Sequence, residues 1–168
     1  INPVIIKEIL IRNFDLKNDS DIIKKDNDKI SLEGKIGFVQ FHPSYDYTDF
    51  VEGLRPKNDN GNIGFERKDG VFKEFCKEAL NNQSSNFVFI IDEINRGEIS
   101  KIFGELFFSV DSGYRGEKGK VQTQYANLIE DGDEFKDGFY IPENVYIIGT
   151  MNDIDRSVES MDFAMRRR

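Results

Sequence analysis

Two uninterrupted apolar runs constrain this chain more than any other feature. Phe87-Val-Phe-Ile-Ile91 leads directly into Asp92-Glu93, and Asn144-Val-Tyr-Ile-Ile148 leads into Gly149-Thr-Met-Asn152. A strand with one face in water alternates apolar and polar side chains, whereas a strand buried on both faces does not. Short runs rich in β-branched and aromatic residues therefore predict two strands of a covered parallel sheet. Ile36-Gly-Phe-Val-Gln-Phe41 predicts another strand, stopped at His42-Pro43 because proline has no N–H to continue a ladder. Val71–Asn82 carries Val71, Phe72, Phe75, Cys76, Ala79 and Leu80 on one helical face, and Ser100–Val110 also predicts a helix. Strands separated by helices define an α/β fold with a parallel sheet.

The remaining segments carry weaker signals. Residues 3–12 open on Pro3 and predict a short helix, with a strand as the alternative. Residues 15–35 predict a loop or exposed helix, and Tyr47–Leu54 a short helix. Asn60-Gly61 and Asp69-Gly70 are turn signals and predict a small hairpin within Asn58–Gly70. Gly113–Gly138 is polar and glycine-punctuated, which predicts a surface insertion or hairpin, and Ser157–Arg168 predicts a closing helix.

Composition narrows the function. With 168 residues, the chain is one domain or part of one. Its 31 acidic and 23 basic residues give a net charge of -8, which argues against a free-standing nucleic-acid binder, since phosphate binding needs clustered Lys and Arg. The 15 Phe and 6 Tyr suffice for a core. No apolar run approaches the roughly 20 residues that cross a bilayer. Cys76 alone permits no internal disulfide and fits a reducing cytoplasm, and His42 alone argues against a His-rich metal site. The start at Ile1 and the stop at Arg166-Arg167-Arg168, without signal-peptide or helix-stop patterns, lead us to expect a fragment of a longer polypeptide.

Ligands of open parallel sheets bind beyond the carboxyl ends of the strands. Here those ends carry Asp92 and Glu93 on one run, Thr150 and Asn152 on the other. An apolar strand ending in Asp-Glu is the pattern of nucleoside triphosphatases. The first carboxylate helps hold Mg²⁺, and the second orients or deprotonates the attacking water. An Asn on the neighbouring strand can hold that water from the other side. The acidic pair alone is equally compatible with capping the next helix or staying solvated.

Longer blocks add a family resemblance. Phe87–Leu106, reading FVFIIDEINRGEISKIFGEL, resembles the Walker B block of McrB-like AAA+ proteins, the nucleotide-driven motor subunits of modification-dependent restriction systems. Ile141-Pro-Glu-Asn-Val-Tyr-Ile-Ile-Gly-Thr-Met-Asn152 resembles their sensor-1 strand, and Asp155-Arg156-Ser157 with Met161–Arg168 the helix after it. Phe41–Gly53 and Arg55-Pro56 resemble the segment after their second strand. The matches run in the family's order from about residue 36 to the end.

The resemblance implies a partial AAA+ P-loop NTPase core. About three strands of a five-stranded parallel sheet would be present, flanked by helices and carrying hairpin insertions. Residues 1–168 would span the second strand to the helix after sensor 1. Asp92 would be the Mg²⁺-associated carboxylate, Glu93 the catalytic carboxylate, and Asn152 the sensor of the γ-phosphate or attacking water. Arg166 or Arg167 would be the finger reaching a neighbouring subunit's nucleotide; the alternative is a solvated helix end complementing the macrodipole. The implied nucleotide is GTP first and ATP second. The implied partners are further copies of the chain in a hexameric ring, a McrC-like nuclease, and modified DNA read through another domain. No membrane is implied, and the implied location is the cytoplasm. In one departure, Met151-Asn152 is followed by Asp153-Ile154 rather than Thr-Ala, adding negative charge beside a phosphate site. In another, no G-x-x-x-x-G-K-[ST] loop occurs: Ile36 follows Gly34-Lys35, and Val121 follows Gly119-Lys120. The phosphate loop and the C-terminal lid are expected outside these residues, and the isolated chain is expected to hydrolyse little or nothing. Two rival readings are a MoxR-like protein-remodelling ATPase and a truncated, non-catalytic assembly module.

Smaller features have modest expectations. His42 is expected to make a local loop hydrogen bond, and Cys76 to be a small buried hydrophobe. Arg96 is either a subunit contact or an exposed helix-start residue. Tyr45, Tyr47 and Phe50 are either an aromatic surface or core.

Overall fold

The computed structural model describes residues 25–26, 29–30, 36–59 and 61–151. The helices expected at 3–12 and 157–168 lie outside the described residues. Within 15–35, Lys25–Asp26 (β1) and Lys29–Ile30 (β2) form a minimal antiparallel ladder.

The three expected sheet strands are present. Ile36–Gln40 (β3), Phe87–Asp92 (β6) and Val145–Gly149 (β7) form a parallel sheet in the order β3-β6-β7. The register runs from Ile36 opposite Val88 to Gln40 opposite Asp92, and from Phe87 opposite Val145 to Ile91 opposite Gly149. The apolar run of β6 is central, and none of its residues from Phe87 to Ile91 exceeds 3% exposure. β7 is less covered than its apolar sequence predicts. Val145 and Ile147 pack on the core, but Tyr146 is 42% exposed.

Tyr47–Phe50 (α1) begins at Asp46, whose side chain accepts from the Thr48 and Asp49 backbone N–H groups. The helix expected through Leu54 stops early because Glu52 already belongs to strand β4 (Glu52–Asp59). β4 pairs along its full length with β5 (Asn62–Asp69), so the hairpin is longer than expected. Gly61 sits at its turn, with φ 90°, and donates its N–H to the Asn58 side chain at 3.0 Å; Asn60, the other half of the turn signal, lies outside the described residues. Asp69-Gly70 makes no hairpin turn. Gly70 instead starts helix α2 (Val71–Asn81) and donates to the Val51 carbonyl at 2.7 Å.

The expected Ser100–Val110 helix divides in two. Ile99–Phe103 (α3) is α-helical and Gly104–Val110 is 3-10. The break is Gly104, at φ 53° and ψ −130°, a region that essentially only glycine occupies. A Cβ there would come within 2.8 Å of the Tyr47 ring. Under the sheet, Phe50, Phe72, Phe75, Phe89 and Phe103 form the buried centre. The Phe50 ring lies 4.7 Å from both Phe72 and Phe103, and Phe72 meets Phe89 edge-on at 5.0 Å.

The 113–138 segment is neither a hairpin nor a loose loop. It is a series of short 3-10 turns with one isolated bridge, Val121 to Phe139, and it buries Phe135 completely. An ionic cluster ties it to the hairpin base and to α2. Lys73 and Glu52, both fully buried, approach to 2.6 Å. Arg67 bridges Glu52 and Asp133 at 3.2 Å each and also pairs with Asp69. Lys77 joins Asp69 at 2.6 Å to Asp133 at 2.5 Å.

Candidate active site

The carboxyl ends of the three parallel strands finish level. Gln40 faces Asp92 across β3 and β6, and Ile91 faces Gly149 across β6 and β7, so Thr150 follows in line beside Asp92. Laterally paired residues of a parallel sheet project from the same face. Asp92 is accordingly held from both sides: Gln40 Nε2 donates to its Oδ2 at 3.2 Å, and Thr150 Oγ1 donates to its Oδ1. Thr150 is 7% exposed.

Glu93 has φ 52° and ψ 43°, and no other non-glycine residue among those described has positive φ. The left-handed region costs an ordinary residue roughly 1–2 kcal/mol and persists where neighbours over-determine it. Those neighbours are visible. Phe41 N donates to Asp92 O at 2.9 Å, Thr150 N to Ile91 O at 2.8 Å, Ile94 N to Thr150 O at 2.9 Å, and Arg96 N to Glu93 O at 2.8 Å. The left-handed residue turns the chain out of β6 into a 3-10 turn at Ile94–Arg96. The Glu93 carboxylate stays partly exposed and accepts from Arg96 Nε at 3.1 Å. The next turn holds Asn95, whose side-chain oxygen is buried with no hydrogen-bond partner among the described residues.

Of the residues singled out from sequence, Asp92 and Glu93 are together at the strand end, with Thr150 against Asp92. Asn152, Arg166 and Arg167 lie outside the described residues, as do Asp153 and Arg156. Gln40 was missed as a site residue; the sequence shows it only as a polar residue near the end of a predicted strand, and its place directly opposite Asp92 comes from the sheet register. His42 makes the expected local contact, its Nδ1 accepting from Ser44 N at 3.2 Å. Cys76 is fully buried, and burial pushes its thiol well above the ordinary range, so it is no nucleophile. Tyr47 and Phe50 are core, and Tyr45 stacks on Phe41 at 5.0 Å.

Among the described residues, no three His, Cys, Asp or Glu side chains gather as a metal cage. Mg²⁺ does not need one beside a nucleotide, where one or two carboxylates, phosphate oxygens and water complete its shell. Asp92, with Glu93 next to it, meets that requirement in donor type.

A parallel sheet flanked by helices, in the order β3-β6-β7 with an acidic pair ending β6, places the chain in the α/β class. Within it the chain belongs to the AAA domain family of the dynein-related subfamily, whose model matches residues 28–168. The chain is McrB-like. It is 48% identical over 134 positions to the type IV methyl-directed restriction enzyme EcoKMcrB subunit of Escherichia coli K12, covering 80% of this chain and 27% of that protein. It is 27% identical over 155 positions to the type II restriction enzyme BsuMI component YdiS of Bacillus subtilis 168, covering 77% of this chain and 45% of that one. The chain thus spans less than half the length of these relatives. No helix among the described residues is long and apolar enough to cross a membrane.

Proposed function

We propose that this chain supplies the hydrolytic strand ends of a McrB-like AAA+ motor that cleaves GTP, or failing that ATP, in a restriction system acting on modified DNA. The observation that carries the reading is the acidic pair at the end of the central strand, Asp92 fixed on both oxygens and Glu93 turned out by its left-handed backbone. The relatives' names support the restriction context.

In this reading Asp92 presents a carboxylate oxygen to Mg²⁺. The cation supplies charge neutralisation at the β- and γ-phosphates when bound. Glu93 orients the attacking water and takes its proton, released from Arg96 as the site fills. Asn152 steadies that water or the γ-phosphate. Arg166 or Arg167 reaches the nucleotide of the next subunit in a hexameric ring, neutralising charge that develops there. Residues 1–168 form part of the AAA+ core, and the phosphate loop and lid come from other parts of the polypeptide. A McrC-like nuclease and a separate DNA-reading domain complete the system in the cytoplasm.

The test is nucleotide hydrolysis by the full-length polypeptide with Mg²⁺. Wild type turns over GTP, or ATP, and Glu93→Gln keeps nucleotide binding but loses at least about a hundredfold in kcat. Undiminished turnover by Glu93→Gln refutes the assignment. The family match by itself also admits a protein-remodelling motor. Co-purification with a protein client rather than a nuclease would favour that reading.

A further inference from the structure

The acidic pair is clasped by a residue outside it. Thr150 makes a set of bonds around Asp92-Glu93. Its N–H donates to the carbonyl of Ile91, just before the pair, at 2.8 Å. Its carbonyl accepts from the N–H of Ile94, just after the pair, at 2.9 Å. Between these, its hydroxyl donates to Asp92 Oδ1. The two backbone bonds tie down both flanks of the left-handed turn at Glu93, and any residue could make them. The hydroxyl bond could not be made by an apolar residue. At 7% exposure, Thr150 sits where an isosteric valine would otherwise be the simpler choice.

Gln40 holds the other oxygen, but its bond is solvent-exposed and 3.2 Å long. Thr150 is thus the buried support of the Asp92 carboxylate. A carboxylate free to rotate about χ2 presents its lone pairs in many directions, whereas one bonded from a fixed hydroxyl presents its remaining lone pairs in one. Its second oxygen lone pairs stay available, because a carboxylate accepts up to about four hydrogen bonds.

The geometry points to Thr150 as a positioning residue for the Asp92 carboxylate, setting the affinity of the site for its divalent cation. This rests on Asp92 being the cation-associated group, as proposed above. The chemistry predicts a narrow signature. Losing the hydroxyl should weaken the metal and leave the nucleotide's other contacts alone. Supporting groups of this kind typically change metal affinity by about 10–100-fold.

The experiment uses the full-length polypeptide and Mn²⁺ as probe, read by electron paramagnetic resonance in the presence of the nucleotide it hydrolyses. Thr150→Val is expected to bind Mn²⁺ about tenfold more weakly, to bind nucleotide normally in EDTA, and to regain most of its kcat at saturating metal. Thr150→Ser, which keeps the hydroxyl, is expected to restore Mn²⁺ affinity. Wild-type Mn²⁺ affinity in Thr150→Val overturns the inference. So does loss of nucleotide binding in EDTA, or failure of Thr150→Ser to restore affinity, since either makes the residue merely structural. Asp92→Asn separates the two levels. If it leaves Mn²⁺ affinity unchanged, the assignment of Asp92 fails and the inference falls with it. If it abolishes Mn²⁺ binding while Thr150→Val does not weaken it, the positioning role alone fails.

Discussion

Replacing Lys73 with methionine isolates what the buried ionic cluster contributes. The Lys73 ammonium is fully buried, 2.6 Å from Glu52 and 3.4 Å from Asp69, and lies 5.6 Å from the centre of the Phe139 ring. Methionine keeps most of the volume and removes the charge. Glu52, also fully buried, then loses its nearest cation, and breaking a buried pair from one side costs about 3–5 kcal/mol. Arg67 remains 3.2 Å from Glu52 and the Tyr125 N–H still donates at 2.9 Å, so the lower end, about 3 kcal/mol, applies. For a chain of this size that lowers Tm by about 6–12 °C. Urea and thermal unfolding followed by circular dichroism measure it. The pH dependence carries a sign. Burial pushes the Glu52 carboxyl up, but hydrogen bonds from Lys73 and the Tyr125 N–H, with the Lys73 charge, hold it below its ordinary value. A lowered carboxyl contributes stability that is present above its unfolded pKa and lost as pH falls through the folded one. The wild-type advantage over Lys73→Met therefore shrinks as pH drops below about 4.5, the ordinary glutamate range. Adding Glu52→Gln to Lys73→Met should recover about 1–2 kcal/mol, because no uncompensated charge is left. A single-variant cost under about 1 kcal/mol, or a double variant as unstable as the sum of the singles, refutes this account.

Three further outcomes follow from individual contacts. Gly104→Ala should cost about 2–3 kcal/mol by thermal unfolding, since it forces a side chain onto φ 53° and against Tyr47. Asn144→Ala should cost about 1–2 kcal/mol in urea, because the Asn144 amide donates to Ala79 O and Ser85 O at 2.9 Å each and ties the end of α2 to β7. At Glu93, glycine should leave stability equal or higher by up to about 1 kcal/mol, while valine should lower it by about 2 kcal/mol. Both should abolish turnover, and equal melting of the two variants would contradict the left-handed backbone as a source of strain.

Much of the fold is decided by local chemistry that the chain displays in one dimension. An apolar run such as Phe87–Ile91 has no polar face to give to water, and its short length and β-branched and aromatic content suit a strand covered on both sides. That requirement also places Asp92-Glu93 at a strand end, where chemistry in such sheets occurs. The amphipathic Val71–Asn82 and the Asn60-Gly61 turn signal are local in the same sense: the helix ends within a residue of its pattern, and the hairpin reverses at Gly61. Local patterns fail where a distant partner outweighs them. Tyr47, Phe50, Val51 and Leu54 have helical spacing, yet the chain leaves the helix after Phe50 because Glu52 is drawn into a buried cluster with Lys73, Arg67 and Tyr125. The 113–138 segment reads as polar surface, but Asp133 and Phe135 anchor it to the same cluster and to the core. The site shows the division most clearly. Its acidic pair is visible in the sequence because it interrupts an apolar run. Its supports, Gln40 and Thr150, are separated from Asp92 by 52 and 58 positions. They meet it only because the sheet sets β3 and β7 on either side of β6, and strand order is a property of packing that no local pattern encodes.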